Sequence, residues 1–311
     1  MRQSKRGFSM IEVIFVLVIL GIVASISSQI IVQVYQNYIT QKALYNINTK
    51  TELISTQIVN RLSHVIDGTT IVKDPLHPPY SAATKGNNWV KMEDIAVDDN
   101  FTMVEWIGYD NDSFAAGATP YWSGVANYET ASRDSFDTPG STLSSVQTIM
   151  NSLSGGKVDL TSAKPAAVLF IQKSNRYKKG AGGEYDPTCM GLIDPTQRAC
   201  IFRVSMNSDT NLSFEDNKTK IVTERYKLAW SAYALVPEEN TPNDYNLSLY
   251  YNYQPWNGEV YTDGEKRLMI PHVSVFKFTE NGGVIQLKLC ATENIGEDYN
   301  LSSCKEKAII R

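Results

Sequence analysis

The feature that most constrains this chain is an uninterrupted apolar run close to its N-terminus. From Phe8 to Val34 the only ionisable side chain is that of Glu12. A helix needs about 20 apolar residues to cross a hydrocarbon layer of about 30 Å. A cleaved secretory signal has a shorter apolar region, of about 7 to 15 residues, followed by a cleavage site of small residues. The run therefore predicts a retained, single-pass membrane anchor.

The charges around this run predict its orientation. Arg2, Lys5 and Arg6 precede it with no acidic residue among them, and the next basic residue is Lys42. Positive residues stay on the cytoplasmic side of a membrane. We therefore expect the first residues in the cytoplasm and the chain after the anchor outside it.

A helical pattern continues beyond the apolar run. Ile47, Thr51, Ile54, Ile58, Leu62 and Val65 recur at steps of three and four, with polar residues on the other faces. The first proline is Pro75, and Asp67 and Gly68 offer a helix stop. We predict one helix from about residue 8 to 66, with a transmembrane part at 8–34 and an amphipathic part at 35–67. The apolar stripe of the amphipathic part is expected to pack on a β-sheet.

The remainder, 68–311, is predicted to be a β-rich head. Candidate strands lie at 101–109, 166–172, 200–206, 226–236, 245–253, 273–278 and 284–289. Tight hairpins are predicted at 257–258 and 280–283, where glycine follows asparagine. The predicted fold class is α+β, a long N-terminal helix packed against an antiparallel β-sheet head.

Two stretches of this head are rich in turn-forming residues. They are 110–162, which includes one candidate helix at Leu143–Leu153, and 178–195. We predict that both are loop insertions on the surface. Such loops either contact partners or are plain solvated connections, and composition does not separate the two.

The four cysteines fall into two pairs that are close in sequence. Cys189 and Cys200 form one pair, and Cys290 and Cys304 form the other. An exported chain can oxidise such pairs, and a loop of about a dozen residues restrains the unfolded chain by about 3 kcal/mol. Four cysteines allow three pairings, of which proximity favours the local one.

No common catalytic or metal-binding signature is present. The sequence contains no GxSxG, HExxH, GxxxxGK[ST] or CxxC, and His64, His77 and His272 lie far apart. The net charge of −4 argues against a nucleic-acid surface. We therefore predict a protein that is not an enzyme and that has no catalytic residues, metal or cofactor.

Three weaker features have a structural and a functional interpretation. Acidic clusters at 98–99, 110–112 and 215–217 suit calcium, but they lack the EF-hand spacing, and solvated turns are preferred. A basic group at 176–179 is too small to carry a function. A dense aromatic group fits a docking or carbohydrate surface, or the half-buried face of a sheet, which is preferred. Its members are Tyr245, Tyr250, Tyr251, Tyr253, Trp256 and Tyr261.

The start of the apolar run has a specific resemblance. The segment RGFSMIE at residues 6–12 resembles the class III signal of type IV prepilins and type II secretion pseudopilins. In that family, prepilin peptidase cuts after the glycine, the new N-terminal phenylalanine is methylated, and a glutamate is fifth in the mature chain. The resemblance implies cleavage between Gly7 and Phe8, N-methylation of Phe8, and pairing of Glu12 with the amine of a neighbouring subunit. A carboxylate in lipid favours such a cationic partner.

The resemblance also implies an architecture and a location. Residues 1–7 would be a basic leader, the helix would cross the inner membrane once, and the head would face the periplasm. The implied partners are prepilin peptidase and other pilins or pseudopilins, which pack through the helical stem, with no nucleic acid established. Many members have a C-terminal disulfide loop, which Cys290 and Cys304 match.

Two departures from the pattern of major pilins favour a minor subunit. Gln29 stands where many major pilins have a proline, and the chain of 311 residues is long for a major pilin. The layout resembles J-type pseudopilins or W-type minor pilins, assembled near the tip of a type II secretion pseudopilus or a type IV pilus. The alternatives are a pilus-tip adhesin, a DNA-uptake minor pilin, and a membrane-anchored periplasmic hydrolase.

Overall fold

The computed structural model describes residues 9–78, 80–95, 101–170, 187–216, 222–241, 244–295 and 300–310. The helices in these ranges are α1 (Met10–Leu62), α2 (Asn111–Phe114) and α3 (Leu143–Leu153). The strands in these ranges are β1 (Ile71–Lys73), β2 (Trp89–Lys91), β3 (Met103–Gly108), β4 (Ser135–Asp137), β5 (Ala166–Phe170), β6 (Phe202–Ser208), β7 (Asn211–Phe214), β8 (Tyr226–Ala229), β9 (Ser231–Thr241), β10 (Asp244–Tyr253), β11 (Glu265–Asn281), β12 (Val284–Asn294) and β13 (Asn300–Ile310).

The N-terminal helix is continuous, as predicted. It has 53 residues, which makes it about 80 Å long. It ends at Leu62 rather than at the predicted 66, because the next residues join a sheet. The N–H of Ile66 donates to the carbonyl of Ile107 at 2.9 Å, and Val65 pairs with Gly108.

An eight-stranded antiparallel sheet carries the second half of α1. Its order is β13-β12-β11-β10-β9-β3-β1-β2. The predicted helical stripe, from Ile47 to Val65, is buried, and α1 packs on β11, β12 and β13. Apolar residues from these strands complete the core, among them Phe276, Leu287, Leu289 and Ile309. The predicted α+β class is confirmed.

A second, five-stranded antiparallel sheet was not predicted. Its order is β4-β7-β6-β5-β8; β5, β6 and β8 overlap predicted strands, whereas β4 lies in the segment 110–162 that was expected to be a surface loop. The helix Leu143–Leu153 is present as predicted, and it buries Leu143, Val146 and Met150. These pack in one core with residues such as Phe136 and Phe202. The prediction that 110–162 is a surface loop insertion was therefore wrong, since Trp122, Phe136 and Leu143 lie in a core shared with β5, β6 and β8.

The two sheets are joined by a shared apolar layer. Along β5, Ala166, Val168 and Phe170 face the second core. The alternate residues, Ala167 and Leu169, belong to another cluster that contains Trp89 and Trp256. β5 is buried on both faces, which explains why it reads as a continuous apolar run.

The predicted strand at 226–236 is two strands. β8 pairs with β5 in the second sheet, whereas β9 pairs with β3 and β10 in the first. The chain changes sheets at Trp230, which lies between them. β8 and β9 are both largely buried, so the alternation of side chains continues without interruption from one strand to the next. The sequence pattern therefore does not reveal where one strand ends and the other begins.

The two predicted hairpins have different outcomes. Asn281 pairs with Val284 across Gly282 and Gly283, whose φ angles of 59° and 80° suit a two-residue turn. The hairpin at 280–283 is therefore confirmed. The prediction of a tight hairpin at 257–258 was wrong, because Pro255–Asn257 forms a 3-10 turn within the longer connection between β10 and β11.

Candidate functional site

The predicted assembly residue Glu12 lies in the first turn of α1. Ser9 precedes the helix in an extended conformation, and its carbonyl accepts from the N–H groups of Glu12 at 3.0 Å and Val13 at 3.2 Å. The positive end of the helix dipole favours a negative side chain in this turn. The predicted cleavage and methylation residues, Gly7 and Phe8, lie outside the described residues.

The surface around Glu12 is apolar and uncovered. Every side chain from Ser9 to Tyr38 is exposed, and α1 is long and apolar enough to cross a membrane. Apolar surface on this scale is covered by lipid or by other protein. Within the described part of the chain, no hydrogen bond or ion pair reaches the Glu12 carboxylate. A carboxylate in such surroundings favours a cationic partner from elsewhere.

Comparison with known proteins identifies this end of the chain. A family model described as the prokaryotic N-terminal methylation motif matches residues 2–28. This chain carries a prepilin-type methylation motif. The match includes Gly7, Phe8 and Glu12, and it supports the class of type IV pilins and pseudopilins, whose members are structural subunits. No curated protein and no solved structure matches the chain.

The prepilin-type motif supports the pilin and pseudopilin class, and the helix that carries it is long and apolar enough to cross a membrane. We call α1 the stem, and residues 68–311 the head. The match does not extend into the head, so the head is interpreted from its structure.

The stem is fastened to the C-terminal strand by charges as well as by apolar contacts. Glu52 pairs with Lys307 and, at 3.7 Å, with Lys305, both on β13. The hydrogen bond from Lys307 is the largest cause that lowers the pKa of Glu52. Lys50 pairs with Glu293 on β12 at 3.3 Å. These contacts fix the register between the amphipathic half of the stem and the edge of the first sheet.

Both local cysteine pairs are disulfide-bonded in the structure. Cys290 and Cys304 face each other across β12 and β13, next to the stem contacts. Cys189 and Cys200 close the loop between β5 and β6. The part of the predicted insertion at 178–195 that precedes Pro187 lies outside the described residues.

A buried ion pair joins this second disulfide loop to the first sheet. Lys73 on β1 pairs with Glu105 on β3, and their side chains are only 4% and 2% exposed. Lys73 also donates to the carbonyl of Leu192 at 2.6 Å, and the Tyr253 hydroxyl donates to Glu105 at 2.8 Å. Burial, and then Glu105, raises the pKa of Tyr253, which keeps this donor protonated. Each charge in this cluster has a partner, so the cluster has a structural role: it holds the disulfide loop against the first sheet.

The sequence did not indicate this cluster. Its members are far apart in the chain, and a lysine beside apolar residues in a short strand resembles an ordinary exposed edge. The only available signal was Lys73 directly after two apolar residues in the segment TTIVK.

The weaker sequence candidates do not assemble into a site. Among the described residues, no group of three or more His, Cys, Asp or Glu is placed to hold a metal ion. Asp110 accepts from the N–H of Ser113 at 3.1 Å, and Asp216 pairs with Arg203 at 2.9 Å. The clusters at 98–99 and 176–179, and Asn217, lie outside the described residues.

The three histidines serve separate local contacts. His64 contacts the carbonyl of Asn60 at 2.7 Å. His77 contacts Asp74 at 2.6 Å, and His272 contacts Asp244 at 3.1 Å. These contacts lie at the end of the stem, after β1, and on β11, so the described histidines form no common site.

The aromatic group between Tyr245 and Tyr261 contributes mainly to packing. Tyr253 and Trp256 are buried, and the Trp256 Nε1–H donates to the carbonyl of Pro165 at 3.2 Å. Tyr250 and Tyr261 contact each other edge to face, with ring centroids 5.2 Å apart. This arrangement fits the interpretation as a half-buried sheet face.

Proposed function

We propose that this chain is a minor pilin or pseudopilin subunit that is matured by prepilin peptidase and assembled near the tip of a type II secretion pseudopilus or a type IV pilus. The observation that carries the proposal is the methylation motif at residues 2–28, placed on a helix whose first half is entirely exposed. Cleavage between Gly7 and Phe8 would release residues 1–7, and Phe8 would receive the methyl group.

In this proposal the stem has two environments in turn. Before assembly it spans the inner membrane once, with the N-terminus cytoplasmic and the head periplasmic, as the basic residues before the apolar run favour. On assembly the lipid contacts of the stem are replaced by contacts with other stems. The chain acts through packing and partner choice, without catalysis and without a cofactor.

Glu12 admits the subunit to the assembly. Its carboxylate is the only ionisable side chain of the run, and it is stable in apolar surroundings when it meets the amine of a neighbouring processed subunit. The pair would also fix the axial position of one stem against the next.

A minor position fits two properties of the chain. Gln29 replaces the proline that kinks many major stems, and the head has two sheets with their own cores. A head of this size suits a subunit present in few copies. The layout resembles that of J-type pseudopilins or W-type minor pilins.

Replacement of Glu12 tests the assembly role. In Glu12→Gln, cleavage should proceed, but incorporation into filaments should fall at least about tenfold, because the loss of about 1.4 kcal/mol already changes an equilibrium tenfold. Glu12→Asp keeps the charge and serves as the matched control, with a smaller loss. Incorporation can be quantified by immunoblotting of sheared filaments against the membrane fraction. Normal incorporation of Glu12→Gln would contradict the proposed pairing.

A tip adhesin is the second candidate. The second sheet attaches where α1 ends: the N–H of Tyr109 donates to the carbonyl of His64, and that of Asp110 to the carbonyl of Leu228 on β8. The second sheet therefore lies near the end of the stem opposite the membrane run. Loss of adhesion with intact secretion on deletion of the gene would favour this candidate.

A further inference from the structure

A pocket of about 400 Å³ lies where the end of the stem meets the head. We call it the junction pocket. Its walls are the last turns of α1, the corner at which β3 is followed by α2, and the start of β9. The stem contributes Gln57, Asn60, Arg61 and His64 to the lining. A volume of this size is in the range of small-molecule sites, which are common where parts of a fold meet.

The aromatic part of the lining is held in place by packing. The Tyr233 ring stacks on that of Trp106, with centroids 5.7 Å apart and planes 21° apart. It also closes onto the backbone at Gly108, where a Cβ atom would lie only 2.7 Å from the Tyr233 Cε2. The Tyr109 ring meets that of His64 edge to face, with centroids 5.4 Å apart. A ligand therefore enters a pre-formed wall and does not have to order it on binding.

The polar part of the lining is not used by the fold. In the described part of the chain, no hydrogen bond or ion pair involves a set of four lining side chains, those of Gln57, Arg61, Asn111 and Asp112. The Arg61 guanidinium only lies over the Tyr233 ring, 5.7 Å from its centroid. Exposed charges on β12 and β13, by contrast, pair with each other at 2.8 Å. Arg61 and Asp112 line one pocket without pairing, so both are available to a ligand.

The lining mixes hydrogen-bond donors with acceptors. The His64 Nδ1 contacts the carbonyl of Asn60 at 2.7 Å. A carbonyl only accepts, so Nδ1 carries the proton and Nε2 of the neutral ring is an acceptor. The amide side chains offer both donors and acceptors, the guanidinium only donates, and the carboxylate only accepts. The ligand that satisfies such a lining has several groups that both donate and accept, which is the property of hydroxyl groups.

The two charges of the lining argue against other classes of ligand. Asp112 opposes an anion and Arg61 opposes a cation. An apolar ligand would find only two tyrosine rings among polar side chains. A zwitterion such as a free amino acid would pair with both charges but would leave the amides of Gln57 and Asn111 without partners, which is costly once water is displaced.

We infer that the junction pocket binds a neutral saccharide. Gln57, Arg61, Asn111 and Asp112 supply the hydrogen bonds to its hydroxyl groups, and the rings of the lining shape the wall. The inference goes beyond the proposed function, because binding in this pocket requires neither cleavage nor assembly. The pocket lies at the end of the stem opposite the membrane run, where a saccharide outside the membrane has access to it.

A saccharide array tests the class of ligand. The full chain is solubilised in an oxyethylene detergent, because the head groups of alkyl glycoside detergents would compete for the pocket. The array presents neutral, sialylated and sulfated saccharides. We expect the chain to be retained on at least one neutral saccharide and to be released by the same sugar in free form. Saturation-transfer NMR with this free sugar then gives the dissociation constant, and glycine, the zwitterionic probe, should give no signal.

A double variant tests the location of the site. Gln57→Ala, Asn111→Ala should raise the dissociation constant at least about tenfold, because it removes two amides that bind hydroxyl groups. Gln286→Ala is the matched control, since this exposed glutamine lies on β12, three strands away from β9, and its dissociation constant should be unchanged. Retained disulfides and protease resistance of the head report that the double variant folds.

Four results would each overturn the inference. They are no retention on any neutral saccharide, retention on sialylated or sulfated saccharides alone, saturable binding of glycine without that of a sugar, and an unchanged dissociation constant in the folded double variant. None of them affects the proposed function, because cleavage and incorporation into filaments are measured separately.

Discussion

Asp110 is the carboxyl group whose surroundings change its chemistry most clearly. Its side chain is fully buried at the corner between β3 and α2, and its Oδ2 has no hydrogen-bond partner in the described structure. Burial raises its pKa from 3.8 to about 7, although the contacts with Ser113 oppose the shift. The native state therefore holds a proton that the unfolded chain releases near pH 4.

We predict that this group makes the head less stable as the pH rises. Between about pH 4 and pH 7 the native state binds more protons than the unfolded state, so the free energy of unfolding falls by about 1.4 kcal/mol per pH unit. The full difference, about 4 kcal/mol, is reached above pH 7 and is absent below pH 4. In Asp110→Asn this slope should disappear, so the variant should gain about 4 kcal/mol relative to the natural chain between pH 4 and pH 8.

Denaturant unfolding of the detergent-solubilised chain, followed by tryptophan fluorescence, measures this difference. Trp122 is a suitable reporter, because its Nε1–H donates to the carbonyl of Asp110 at 2.9 Å. Asn retains an oxygen acceptor for the N–H of Ser113, so the local turn is preserved. An unchanged pH slope in Asp110→Asn would show that Asp110 is ionised in the folded head.

At the scale of elements, the stem and the C-terminal strand support each other. β13 is an edge strand that is held by the stem on one face, by β12 along its length, and by the disulfide from Cys304 to Cys290. The cross-link closes the connection between the two strands. Loss of this link frees the segment that carries Lys305 and Lys307, the partners of Glu52.

We predict that the double variant Cys290→Ser, Cys304→Ser is destabilised by about 3 kcal/mol, the usual effect of a loop of this size. Hydrogen exchange should accelerate first in β13 and in the stem near Glu52, because edge elements open locally before the whole head unfolds. The double variant Cys189→Ser, Cys200→Ser is the control, since its loop lies away from the stem. Uniform acceleration throughout the head would contradict a local role.

The elements that were predictable are those with local signals. The stem, α3 and the hairpin at 280–283 have periodicity or turn residues within a short stretch, and each was predicted near its observed bounds. The short strands β1, β2, β4 and β7 have three or four residues each, too few for a period to be recognised. β13 is rich in charge because it is an edge strand beside the stem, which masks its alternation.

At the scale of the whole molecule, the second sheet was unpredictable for a different reason. Apart from the short hairpin between β6 and β7, its strands are close in space but separated by long connections, and the change from β8 to β9 at Trp230 leaves no mark in the alternation. The ion pair of Lys73 and Glu105 is equally non-local. By contrast, the methylation motif at residues 2–28 was recognisable from the sequence, because Gly7, Phe8 and Glu12 stand at a short, fixed spacing; the roles of these three residues belong to the proposal.

The molecule thus joins a locally encoded stem to a head assembled from distant segments. In the proposed function, the stem determines processing, anchoring and admission to a filament, and the head determines which partners follow. Everything in that proposal depends on processing of the motif at residues 2–28.

The most direct test is the mass of the N-terminal peptide after co-expression with an active prepilin peptidase. We expect residues 1–7 to be absent and Phe8 to carry one methyl group. Gly7→Leu should block cleavage and serves as the matched control. A natural-sequence chain that keeps Met1 beside an active peptidase would show that the motif is not processed.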